Sequence, residues 1–148
     1  MDPDELDRLV RLWIFREAAD TGEVPGVDAI ATALGERRDA IEAALHRLAA
    51  ARAIVLAPTT TNLWMAAPFS AVATPFVVHA RGRRYHGNCI WDALGIAALL
   101  HADATIDATC GDCGEPMRVE VAADQVIGDG IVHFAVPAAR WWDNIGFT

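Results

Sequence analysis

Residues 66–86, AAPFSAVATPFVVHARGRRYH, hold the boundary on which the fold turns. Pro68 and Pro75 bracket a connector, Phe69–Thr74. Before it, apolar residues recur every three to four positions, the period of a helix face; after it they come in short runs, the pattern of strands. The spacing after Pro75 predicts strands over Pro75–Ala80 and Arg83–His86, joined through Arg81-Gly82.

Upstream, Asp2-Pro3-Asp4-Glu5 reads as a helix start: a capping Asp, proline at the first helical position and acids in the first turn. Leu6, Leu9, Val10, Trp13, Ile14 and Ala18 then mark one apolar face, and Thr21–Gly26 breaks the helix. A short helix is expected at about Val27–Leu34, ended by Gly35, and a third from about Arg37 to Ala51. Ile54-Val55-Leu56 and Leu63-Trp64-Met65 flank the polar turn Pro58–Asn62 as a hairpin. Three helices followed by a hairpin is the order of a winged helix-turn-helix.

Downstream, a helix of about three turns is expected at Cys89–Leu100, and a hairpin from Thr105–Thr109 and Met117–Val121 around Cys110–Pro116. Ile131–Val136 reads as a further strand and Ala138–Asn144 as a short helix. The expectation is therefore an α+β chain in two parts. Residues 1–66 form a winged-helix-like helical domain, and residues 67–148 a small mixed unit of antiparallel strands around the Cys89 helix.

Of the 148 residues, 53% are hydrophobic and 22% charged, too apolar a balance for a disordered chain. No apolar run reaches the roughly 18 residues of a membrane span. The acid-rich start is unlike a signal peptide, so a soluble, cytoplasmic protein is expected. The net charge is −8, every basic residue is arginine, and acids outnumber arginines in both halves. Such a chain is a poor general binder of phosphate backbones. The outward positions of the third helix, Glu36, Arg37, Arg38, Asp39, Glu42 and His46, offer two arginines among three acids. DNA is thus not the expected partner, whatever the helix order suggests.

Three cysteines, Cys89, Cys110 and Cys113, argue against a disulfide framework and for free thiols, a metal site or a nucleophile. In Asn88-Cys89-Ile90-Trp91-Asp92, Asn88 is a good N-cap, placing Cys89 at the first helical position, where the helix dipole favours a thiolate. Asp92, one turn on, would share that face and with it a proton. By themselves these residues favour a plainer arrangement, a buried structural cysteine beside a capping aspartate. Cys110-Gly111-Asp112-Cys113-Gly114 is half of a zinc knuckle or a pair of reduced surface thiols, with both sulfurs expected on one turn. His133 reads as a core or edge residue of its strand, the five tryptophans as core, and Arg81, Arg83 and Arg84 as a solvated face.

The order of these parts resembles the alkylmercury (organomercurial) lyase family. A helical N-terminal part precedes the Asn88-Cys89-Ile90-Trp91-Asp92-Ala93-Leu94 helix, the Cys110 hairpin, Val136-Pro137 and Trp141–Thr148. The resemblance implies protonolysis of a carbon–mercury bond in a small organomercurial, with no cofactor. It implies that Cys89 is the attacking thiol that takes the mercury, Asp92 the proton shuttle and Cys110 a structural cysteine, with Cys113 an addition to the pattern. The family uses a second thiol just beyond a stretch like Asp143–Thr148. The sequence given ends at Thr148, so the expectation is binding of mercurials with slow turnover or none. Two other readings stand beside this one. One is a non-catalytic protein holding Zn(II) or Cu(I) on Cys110, Cys113 and Cys89. The other is a metal-responsive winged-helix regulator. Oligomeric state and the substrate's organic group are not legible.

Overall fold

The computed structural model describes residues 1–147. Helix α1 (Pro3–Thr21) follows Asp2, which stands at the N-cap without a side-chain capping bond, and Pro3 opens the helix as expected. Helices α2 (Val27–Leu34) and α3 (Arg38–Ala50) pack on it. Leu6, Val10 and Ile14 of α1 meet Ile30 of α2 and Ile41, Leu45 and Leu48 of α3 in the first core. Each such side chain contributes about 1.5–3 kcal/mol by leaving water.

Strands β1 (Val55–Leu56), β2 (Leu63–Ala66) and β3 (Phe69–Ser70) form an antiparallel sheet in the order β1-β2-β3. β3 falls in the stretch read as a connector, and its pairing with β2 crosses the boundary expected at 66/67. The connector is also tied forward. Thr74 donates its hydroxyl to the Gly87 carbonyl at 2.6 Å, and Phe69 bridges to Gly87.

The second sheet has the order β5-β4-β6-β7-β8, with every pair antiparallel: β4 (Val77–Ala80), β5 (Arg83–His86), β6 (Ala104–Thr109), β7 (Pro116–Ala122) and β8 (Gln125–Ile127). Helix α4 (Ile90–Leu100) packs across it. Ala93, Ile96, Ala97 and Leu100 recur at i, i+3, i+4 and i+7 and meet Val78, Tyr85 and Ile106 in the second core. The fold is α+β, with helices and antiparallel sheets as the sequence predicts.

The two cores are joined by α1. Ala18 belongs to the second core, Phe15 touches both, and the Tyr85 hydroxyl donates to the Ala19 carbonyl at 2.9 Å. That carbonyl lies in the last turn of α1, where helices leave carbonyls unpaired. Among the described residues, no helix is long and apolar enough to cross a membrane.

Two expectations fail. Ile131–Val136 is not a strand but an exposed, irregular segment. Gly128 and Gly130, at φ 150° and 143°, turn the chain away from the sheet edge, and its apolar residues face cavities instead of a ladder. His133 is accordingly exposed. Nor do the tryptophans as a set fill the core: Trp13 packs against the first core, and the two clusters include none of the other four. None is fully buried, and Trp91 is 54% exposed. The chain then makes a 3-10 turn at Ala138–Asp143, where the short helix was expected.

Candidate active site

The start of α4 is fixed from below by Gly87. A β-carbon there would stand 2.7 Å from the Ala93 backbone nitrogen, so only glycine lets β5 run this close beneath the first turn. The cap itself is one residue later than the sequence suggests. Cys89, in extended backbone, is the N-cap, and its Sγ accepts from the Asp92 N–H at 3.4 Å. Sulfur thus replaces the usual capping oxygen. Asn88, freed from that task, donates from Nδ2 to Asp92 Oδ2 at 2.9 Å and to the Phe69 carbonyl at 3.3 Å. This positioning role is one the sequence reading missed, because a residue of good capping type stood beside the true cap.

Cys89 and Asp92 are both half-buried and line one cavity of about 260 Å³. Three pieces of chain enclose it. The first sheet and its approach supply Arg52, Ile54, Val55 and Met65, and the start of α4 supplies Asn88, Trp91 and Asp92. The C-terminal segment supplies Phe134, Trp141, Trp142, Ile145 and Phe147. Phe134 stands edge-on to Trp91, with centroids 5.9 Å apart, and lies 5.3 Å from Trp141. The Arg52 guanidinium sits 5.5 Å from the Trp142 ring centre. Gly146 lies against Trp64, where a β-carbon would come within 2.6 Å of the ring. Trp91 is the aromatic wall that the Cys89 spacing itself provides, whereas the other walls come from distant stretches that local reading does not bring together.

Burial sets the protonation. It raises the Asp92 pKa above the ordinary carboxylate value, with the Asn88 hydrogen bond opposing. It likewise raises the Cys89 thiol; the Asp92 N–H counters this, the Asp92 charge adds to it, and the Trp91 N–H counters it more weakly. The helix terminus does favour the thiolate, as expected, but burial outweighs it. Burial thus moves both groups of the cavity toward their protonated forms.

Cys110 and Cys113 lie on the turn between β6 and β7, and neither lines the cavity of Asp92. The Cys110 thiol is held below its ordinary pKa by hydrogen bonds, first from the backbone N–H of Cys113, then from that of Asp112, then from the Cys113 side chain. Both cysteines stand on one turn, closed by the Gly114 N–H to the Cys110 carbonyl at 2.9 Å. Among the described residues, no group of three or more His, Cys, Asp or Glu could hold a metal ion. Cys110 does share a second cavity, of about 710 Å³, with Cys89. Thr148, in the last stretch of the resemblance, lies outside the described residues.

A family model described as MerB, alkylmercury lyase, matches residues 69–148. The chain belongs to the alkylmercury lyase family. Its fold is similar to a solved structure described as the mercury-bound form of MerB2, with a TM-score of 0.56 at 20% identity. The match covers 84% of this chain and 66% of that one, so this member spans just under two thirds of that protein. No curated protein sequence matches the chain. The family's matched region carries all three cysteines, Asn88 and Asp92, and most of the aromatic wall.

Proposed function

We propose that this chain cleaves carbon–mercury bonds in small organomercurials, with Cys89 as the nucleophile and Asp92 as the acid. The observation that carries the reading is one cavity lined by a thiol, a carboxyl raised toward its protonated form, and aromatic walls. Family membership supports the same reaction class.

The chemistry follows from the residues. The apolar wall takes the organic group and excludes water. Mercury is thiophilic, so the Cys89 thiol displaces the ligand opposite the carbon and its proton leaves with that ligand. Sulfur bound to mercury pushes electron density onto the mercury-bound carbon. Asp92 gives that carbon its proton, the carbon–mercury bond breaks, and the hydrocarbon departs. Hg(II) stays on the Cys89 sulfur, with the new Asp92 carboxylate balancing its charge. Asn88 holds the carboxyl in place and stabilises the anion it becomes. No resident cofactor enters this scheme.

The test is hydrocarbon release from an arylmercury salt by the purified chain. Release that disappears in Cys89→Ser supports the assignment. Release at the parental rate in that variant would sink it. Serine is itself a good N-cap, so the variant keeps the start of α4.

A further inference from the structure

We infer that Arg52 makes this chain select organomercurials whose organic group is a single aromatic ring carrying a carboxylate. That selectivity rests on the function proposed above, with the mercury taken by Cys89.

The cavity sets the size of the guest. An apolar cavity of about 150 Å³ takes a benzene. The space of about 260 Å³ around Cys89 and Asp92 therefore suits one ring with its mercury and a small substituent. Trp91, Phe134 and Trp141 offer that ring aromatic faces and edges. Cys89 and Asp92, both half-buried, take the reacting end, which leaves the exposed Arg52 for the far edge of the ring.

Arg52 stands there against its backbone preference. It follows the end of α3, where the Ala53 N–H donates to the Leu48 carbonyl and the Arg52 N–H to the Ala49 carbonyl, each at 2.9 Å. This closure needs left-handed backbone at Arg52, φ 60°, in a position that glycine usually fills. Of the described non-glycine residues in that state, only Arg52 lines the cavity. Glycine would suit the helix end better, so what arginine adds is its side chain.

That side chain is held in place with its donors open. The guanidinium lies over the Trp142 ring, 5.5 Å from its centre. Such a contact occupies a face of the guanidinium and leaves N–H groups around its edge. Among the described residues no carboxylate pairs with Arg52, and it is the one cation lining the cavity. The guanidinium fork matches a carboxylate with two parallel N–H···O bonds. A net charge of −8 disfavours anions near the chain in general, so a preference for one has to come from a local cation.

The test compares para-carboxyphenylmercuric chloride with its para-carbamoyl analogue, alike in shape and different in charge. Two rates are read for each: shielding of Cys89 from alkylation, followed on its peptide, and release of the arene, benzoate or benzamide. The parent should capture the carboxylate about tenfold faster, with the difference shrinking in salt. Arg52→Gly, which suits the helix end, and Arg52→Gln, which keeps a long polar chain without charge, should each bring the ratio near one. A merely structural part for Arg52 would slow both mercurials alike and leave the ratio standing. A ratio near one in the parent, or a parental ratio in either variant, overturns the selection. Capture breaks no carbon–mercury bond. A charge preference in capture without arene release would keep the selection and sink the lyase reading; arene release with no preference would do the reverse.

Discussion

Burial holds the Asp92 carboxyl toward its protonated form against the pull of the Asn88 amide. Two consequences follow. Asp92→Asn should still bind mercurials but release hydrocarbon about a hundred- to ten-thousand-fold more slowly in a single turnover, because an amide cannot deliver the proton. In the parent, that single-turnover rate should fall as pH rises through the raised Asp92 pKa, and the variant should lack this limb. Stability carries the same signature. Between the ordinary carboxylate pKa and the raised one, the folded chain binds more protons than the unfolded chain, so folding weakens as pH rises through that window. Asp92→Asn should therefore match the parent in acid and exceed it at neutral pH in urea unfolding. An Asp92→Asn chain no more stable than the parent at pH 7 would remove the burial argument. The Cys89–Asp92 pair was legible because i, i+3 spacing needs only one helix. The part of Asn88 was not. Which of two adjacent residues caps a helix depends on where β5 ends beneath it.

The close passage of β5 under α4 makes Gly87 the hinge between scaffold and chemistry. Gly87→Ala would drive a methyl into the Ala93 backbone and tilt the turn that carries Cys89 and Asp92. A loss of about 1–3 kcal/mol is expected, with hydrocarbon release falling further than the fraction of folded protein. Equal falls in both would mean that α4 shifts without moving the pair. Helices α1 to α4 and strands β1, β2 and β4 to β7 were readable from period and punctuation. β3 was not, since two residues between prolines carry no periodicity, and its evidence is the partner strand β2. The segment Ile131–Val136 fails in the opposite sense. Its alternation is real, yet its apolar side chains face cavities and a neighbouring ring, so a strand pattern appears without a ladder.

Two hydrophobic cores share one helix, and the Tyr85–Ala19 hydrogen bond ties the end of that helix to the second core. Tyr85→Phe removes the hydroxyl and leaves a helix-end carbonyl without that donor, at a cost of about 1 kcal/mol. A drop of about 3 °C in Tm is expected. The transition should stay single in calorimetry because Phe15 and Ala18 still bind the cores together; two resolved transitions would show that the halves melt apart. Such long-range coupling is invisible to local patterning, which sees α1 as one stripe facing one partner. The C-terminal segment has a different standing in the molecule. Among the described residues it contains no strand, and it meets the rest through rings, Phe134 on Trp91, Trp142 on Arg52 and Gly146 on Trp64. A side chain exchanged there reshapes the cavity without shifting a register or turning a helix. Under the proposed function, reactivity and selectivity are thus heritable separately: a lineage can retune which organic groups it admits while Cys89 and Asp92 stay untouched.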